Sequence, residues 1–174
     1  MNAQPTRAAH GQHWQQSFPN SCVPACLATA LLKRGATNPA ALEDALHQNS
    51  ALGGHGLYDP PFLAIPGVRG QNLAVGGAGL DEIRAAIAQP AQVVVMVFGP
   101  RWVARIPPGS QSPHGVLCAP GTGTRPYHSV VVVDWYRDSF LLLDPFFSVA
   151  NQPFEASDDE MLASITGHAL VVPF

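Results

Sequence analysis

The chain has 174 residues, 47% of them hydrophobic and 12% charged, with a formal net charge of −3. That length supports one domain with its own core, and the composition excludes a disordered or acidic chain and one that coats nucleic acid. No apolar run reaches the roughly 18 residues that span a bilayer, no apolar signal core opens the chain, and three cysteines are an odd count for a disulfide framework.

In chain order, residues 1–13 are polar and are expected to fray, which leaves one domain over 14–174. Asn20 or Ser21 can cap a helix that runs from about Cys22 to Arg34, tolerates Pro24 in its first turn and stops at Gly35. A second helix follows, with Asn38 as cap and Pro39 as its first residue. Residues 50–79 are rich in glycine and proline and read as a long loop; residues 80–88 (LDEIRAAIA) read as a third short helix. The character then changes to β-branched apolar runs at 92–98, 128–135 and 139–146, read as buried strands. A Pro/Gly-rich excursion over 99–127 separates the first two strands. Ser157 and Glu160 form an S-x-x-E capping box ahead of a short helix, and ALVVPF closes the chain as a last strand. Helices first and a mostly antiparallel sheet second make an α+β pattern.

The chemistry gathers at four residues. Cys22 stands where a loop turns into an apolar helix, and a helix N-terminus favours a thiolate through its dipole and free N–H groups. A tight hairpin between the second and third strands, with Trp135–Arg137 as a three-residue turn, sets His128 directly opposite Asp144. A slip of one residue would break that pairing. Cysteine hydrolases need a thiol, an imidazole, a group that orients the imidazole and donors for an oxyanion. Gln16, six residues before Cys22, can supply a side-chain amide beside the Cys22 backbone N–H.

This set resembles the papain-like cysteine peptidases that process bacteriocins, the double-glycine leader peptidases often found as the N-terminal domain of peptide-exporting transporters. The family pattern places a glutamine six residues before the cysteine and an aspartate about sixteen after the histidine; Gln16 to Cys22 and His128 to Asp144 have those intervals. The resemblance covers roughly residues 14–146. It implies a papain-like fold in which the cysteine helix packs on an antiparallel sheet. It also implies Cys22 as nucleophile, His128 as general acid/base, Asp144 as orienter and Gln16 as oxyanion donor, acting on a peptide or protein substrate, with a membrane transporter as a conceivable associate. The family's Asp-Cys-Gly around the nucleophile is Ser21-Cys22-Val23 here, the interval from Cys22 to His128 is long, and no transporter is expected after Phe174.

The remaining candidates weigh less. Cys26 reads as core packing and Cys118 as a loop thiol; zinc binding by Cys22, Cys26 and a histidine lacks a second cysteine pair. His10, His13, His47, His55, His114 and His168 read as solvated or satisfied, with His114 a distant rival base; Asp134 and Asp138 read as turn residues. Arg101, Trp102 and Arg105 read as a solvated loop with one anchored tryptophan, ahead of a substrate groove. No nucleotide loop or cofactor motif is present, so no cofactor, metal or nucleic-acid partner is expected. Three functions compete: a cysteine peptidase; an acyl or peptidyl transferase, or a secreted papain-fold toxin, using the same triad; and a peptide-binding module without catalysis. The compartment expected is the cytoplasm, with export by a signal-less route open.

Overall fold

The computed structural model describes residues 12–18, 21–50, 57–99, 102, 127–147 and 152–174. The elements in chain order are α1 (Cys22–Leu32), α2 (Pro39–Asn49), α3 (Pro60–Leu63), β1 (Arg69–Asn72), α4 (Gly77–Ile87), β2 (Ala91–Phe98), β3 (Tyr127–Tyr136), β4 (Ser139–Leu143), β5 (Phe154–Ser157), α5 (Asp158–Ser164) and β6 (Ile165–Pro173). The six strands form one antiparallel sheet in the order β1-β6-β2-β3-β4-β5. The α+β class expected from the sequence is the one observed.

Both faces of this sheet are covered, which explains why its central strands are apolar at nearly every position. Along β2, Val93, Val95 and Val97 join the core under α4 and α5, through Leu80, Ile83 and Met161. Val94 joins a second core under α1 to α3, through Val23, Leu27, Leu46 and Phe62. α1 is buried from Val23 to Leu31 and is therefore apolar all round. It ends where expected: Gly35 takes a φ of +89°, which a residue with a Cβ resists, and the Ala36 N–H returns to Leu31 O at 3.1 Å. Asn38 caps α2 through Ala41 N, with Pro39 in the first turn. The Ser157–Glu160 capping box is formed in both directions at the start of α5.

Four expectations need correcting. The stretch 50–79 is not one loop: α3, β1 and the start of α4 lie in it. β1 and α3 hold only four residues each, too few for a periodic signal. The strand expected over 139–146 ends at Leu143, because Asp144 to Phe147 turn away from the ladder. The hairpin turn has two residues, Arg137 and Asp138, both at positive φ (50° and 61°), the backbone of a type I′ turn. Asp138 is a turn residue as expected, but Asp134 lies within β3. Among the described residues, no helix is long and apolar enough to cross a membrane.

Candidate active site

The new turn changes the register without separating His128 from Asp144. Tyr136, Trp135 and Asp134 pair with Ser139, Phe140 and Leu141. The ladder then skips Val133, so that Val132 pairs with Leu142 and Val131 with Leu143. Without the skip, the next pair would be Val131 and Asp144, and Asp144 would share a face with Val131 rather than with His128. With it, Asp144, the first residue past the Val131–Leu143 pair, leaves the ladder on the side of Val130, and residues two apart on a strand share a face. The expected direct pairing of His128 with Asp144 is therefore replaced by a diagonal one, still within reach. His128 Nε2 lies 2.8 Å from Asp144 Oδ1.

Asp144 is fully buried, and every part of it is held. Its Oδ1 also accepts the Phe146 N–H at 2.9 Å, and its Oδ2 accepts the Trp102 indole N–H at 2.6 Å. Gln152 spans its backbone, accepting from Asp144 N at 3.1 Å and donating to Asp144 O at 2.9 Å. Trp102 is thus anchored, 3% exposed.

α1 delivers the thiol to the same place. The Cys26 thiol lies 3.2 Å from Ser129 O, so the turn of helix before it, which carries Cys22, arrives at His128, near the start of β3. With Nε2 committed to Asp144, the ring atom left to meet Cys22 is Nδ1, which is buried and has no hydrogen-bond partner among the described residues. Burial alone would lower the His128 pKa. The Asp144 charge and hydrogen bond, with a smaller contribution from the Cys22 side chain, outweigh it and push the value up to about 10. Burial raises the Cys26 thiol well above its ordinary value, helped by Cys22 and Asp144, which makes it an inert packing residue as expected.

The segment 12–18 is strapped across this site. His13 Nε2 meets Phe147 O at 2.8 Å, Gln16 N–H donates to Pro145 O at 2.8 Å, and Trp14 N–H donates to Thr29 Oγ1 of α1 at 3.0 Å. Burial lowers the His13 pKa against weaker raising contributions from Phe147 O and Asp144. His13 is thus packed rather than frayed, bonded through Nε2 with its buried Nδ1 unpartnered among the described residues. Gln16 is buried, with its Nε2 donating to Phe18 O at 3.1 Å and its Oε1 left without a partner among the described residues. That amide orientation is the sound one, since the reverse would set an oxygen against the Phe18 carbonyl. Gln16 is thus brought beside Pro145 and the start of α1, with one amide N–H spoken for by Phe18.

The sequence reading missed Glu43, Gln152 and the bond from Trp102 to Asp144. Glu43 had a signal: it stands one turn before Leu46, on the buried stripe of α2, where a carboxylate needs partners. Its partners are Trp14 Nε1 at 2.6 Å, Ser17 N at 2.8 Å and Ser21 Oγ at 2.5 Å. Of the other candidates, His47 stacks on Phe18 and His168 lies exposed beside Asn72. His10, His55, His114, Cys118, Arg101 and Arg105 lie outside the described residues. Among the described residues, no three His, Cys, Asp or Glu side chains cluster as metal ligands.

No protein-family model and no curated protein matches this sequence. Solved structures do match it. The peptidase domain of ComA from Streptococcus, a bifunctional ABC transporter of a quorum-sensing pathway, superposes with a TM-score of 0.56 at 18% identity, over 95% of this chain and 100% of that domain. A C39-like peptidase from Bacillus anthracis gives a TM-score of 0.62 at 15% identity, over 95% of this chain and 96% of that one. Helices packed on a six-stranded antiparallel sheet, matched over nearly its whole length, give this chain the papain-like fold of C39 peptidase domains.

Proposed function

We propose that the protein is a cysteine peptidase with Cys22 as nucleophile, His128 as general acid/base, Asp144 as the residue that orients His128, and Gln16 with the α1 N-terminal N–H groups as oxyanion donors. The observation that supports this reading is the buried His128 imidazole, braced by Asp144 at 2.8 Å from Nε2 with its Nδ1 unbonded among the described residues, on the strand against which α1 packs through Cys26. Cys22 sulfur attacks the scissile carbonyl carbon and a C–S bond forms. The proton on His128 Nδ1 passes to the leaving amine as the C–N bond breaks. Water then attacks the thioester, gives a proton back to Nδ1 and releases the acid. A binding module has no need of a carboxylate-braced imidazole facing a thiol.

Hydrolysis is favoured over acyl transfer because both structural neighbours are peptidases. The likeness to a transporter's peptidase domain makes leader peptides handled at a membrane transporter the first substrates to screen.

The test is alkylation of the thiols by iodoacetamide between pH 5 and 9, resolved residue by residue by mass spectrometry. Cys22 is expected to react fastest in the wild-type chain and to slow by about tenfold or more near pH 6 in His128→Ala, while Cys26 stays unreactive in the folded protein. Equal rates in the two proteins would sink the thiol–imidazole pair.

A further inference from the structure

We infer that Glu43, far from the reacting atoms in sequence and on a different helix from Cys22, is a positioning residue that keeps the oxyanion side of the site open; the inference rests on the peptidase reading above. Glu43 is fully buried. One carboxylate gathers three donors from the segment that leads into α1: the Trp14 indole, the Ser17 backbone N–H and the Ser21 hydroxyl. Gln16 sits between the first two of these.

The Ser21 contact is the telling one. Ser21 occupies the N-cap of α1, where a serine ordinarily turns its oxygen back onto a first-turn N–H. Here it makes no such bond. Its hydroxyl lies 2.5 Å from Glu43 Oε1 and 2.8 Å from Phe18 O, facing away from the helix. Pro24 at the third helical position has no N–H to cap. The N–H groups of Cys22 and Val23 are consequently left without a side-chain cap, at the end of the helix where positive partial charge is greatest. Those are the donors that a tetrahedral oxyanion on a Cys22 adduct needs. Glu43 therefore does two things at once. It holds away the one side chain that could cap the Val23 N–H, and it fixes the strap on which Gln16 rides.

This role separates two reactions of the same thiol. Alkylation by iodoacetamide is a displacement at saturated carbon: the C–S bond forms as iodide leaves, and no oxyanion develops. Acylation by p-nitrophenyl acetate passes through a tetrahedral oxyanion; the sulfur bonds the carbonyl carbon and p-nitrophenolate leaves. In Glu43→Gln and Glu43→Ala, acylation of Cys22 should fall by about tenfold or more in the alanine variant, less in the glutamine variant, which keeps one acceptor. Alkylation should stay within about threefold of wild type, because the His128 pair is untouched. Ser21→Ala, which removes the misdirected cap but leaves the strap, should acylate more than Glu43→Ala does. Parallel loss of both reactions, or acylation unchanged in both Glu43 variants, overturns the assignment while leaving the peptidase reading intact. A wild-type chain that alkylates but never acylates overturns the peptidase reading and this one with it.

Discussion

Asp144 meets three donors with two oxygens, and the consequence falls on His128. Its charge is what holds a fully buried imidazole protonated, with the pKa pushed up to about 10 against the lowering effect of burial. An imidazolium that persists to that pH can protonate a leaving amine across the whole neutral range, so the alkaline limb of kcat/KM for a peptide should lie near pH 10. Asp144→Asn keeps the shape and a hydrogen-bonding side chain but removes the charge. Burial then prevails and the limb moves to lower pH, with kcat reduced by about a hundredfold or more and KM little changed. An alkaline limb that stays in place would show that the aspartate does not govern His128; equal losses in kcat and in substrate affinity would make it a substrate contact. At this scale the sequence was a good guide to the pairing of His128 with Asp144 and a poor one to what holds it. His128, Asp144 and Cys22 announce themselves by residue type and spacing. Trp102 donating to Asp144, and Gln152 clasping its backbone, are contacts across 42 and 8 residues that no local pattern encodes.

At the level of elements, the site depends on a parity. A two-residue turn at Arg137–Asp138 taken alone leaves His128 and Asp144 on opposite faces of the hairpin, and the bulge at Val133 restores them to one face. The sequence reading reached the right partnership through a wrong turn. It assumed three turn residues and no bulge, whereas the chain uses two turn residues and one bulged residue. Both arrangements keep the parity even, so the apolar pattern could not tell them apart: valine fills four consecutive positions, 130 to 133, on a strand buried on both sides. Deleting Val133 tests this register. The deletion removes the one residue the ladder skips, so the pairs Asp134–Leu141 and Val132–Leu142 become consecutive and His128 stays on the face of Asp144. Cys22 alkylation near neutral pH should therefore stay dependent on His128. Val133→Ala, which removes volume but keeps the bulge, should retain His128-dependent alkylation and lose only stability, about 1–3 kcal/mol by urea unfolding. Loss of His128-dependent alkylation in a deletion that still folds would mean that the pairing on either side of Val133 is not what sets His128 beside Asp144.

For the whole molecule, the catalytic groups and the core draw on the same contacts. α1 is at once the element that presents Cys22 and the central element of one core, and β3 carries His128 while separating the two cores. The class of fold was legible for this reason: apolar helices followed by strands without polar alternation have few ways to bury themselves, and covering a sheet on both faces is one of them. The strap over 12–18 was not legible, because its order comes from Glu43, Thr29 and Pro145, none of them near it in sequence. Coupling of site and core makes stability itself a readout of the buried ion pair. The His128 pKa is raised in the folded chain, from 6.5 to about 10, so the folded state holds a proton that the unfolded state releases between those values. Stability from this group is full below about pH 6.5 and is lost as the pH climbs through about 10. Urea midpoints of wild type and Asp144→Asn, measured in parallel from pH 6 to 10.5, isolate it, since other titrating groups are common to both. The gap between the curves should be widest near pH 6 and should narrow steadily toward pH 10, where the imidazole of the wild type also becomes neutral. Parallel curves across that range would mean that His128 and Asp144 are bonded without being charged, and the imidazolium that the proposed chemistry starts from would have to be abandoned.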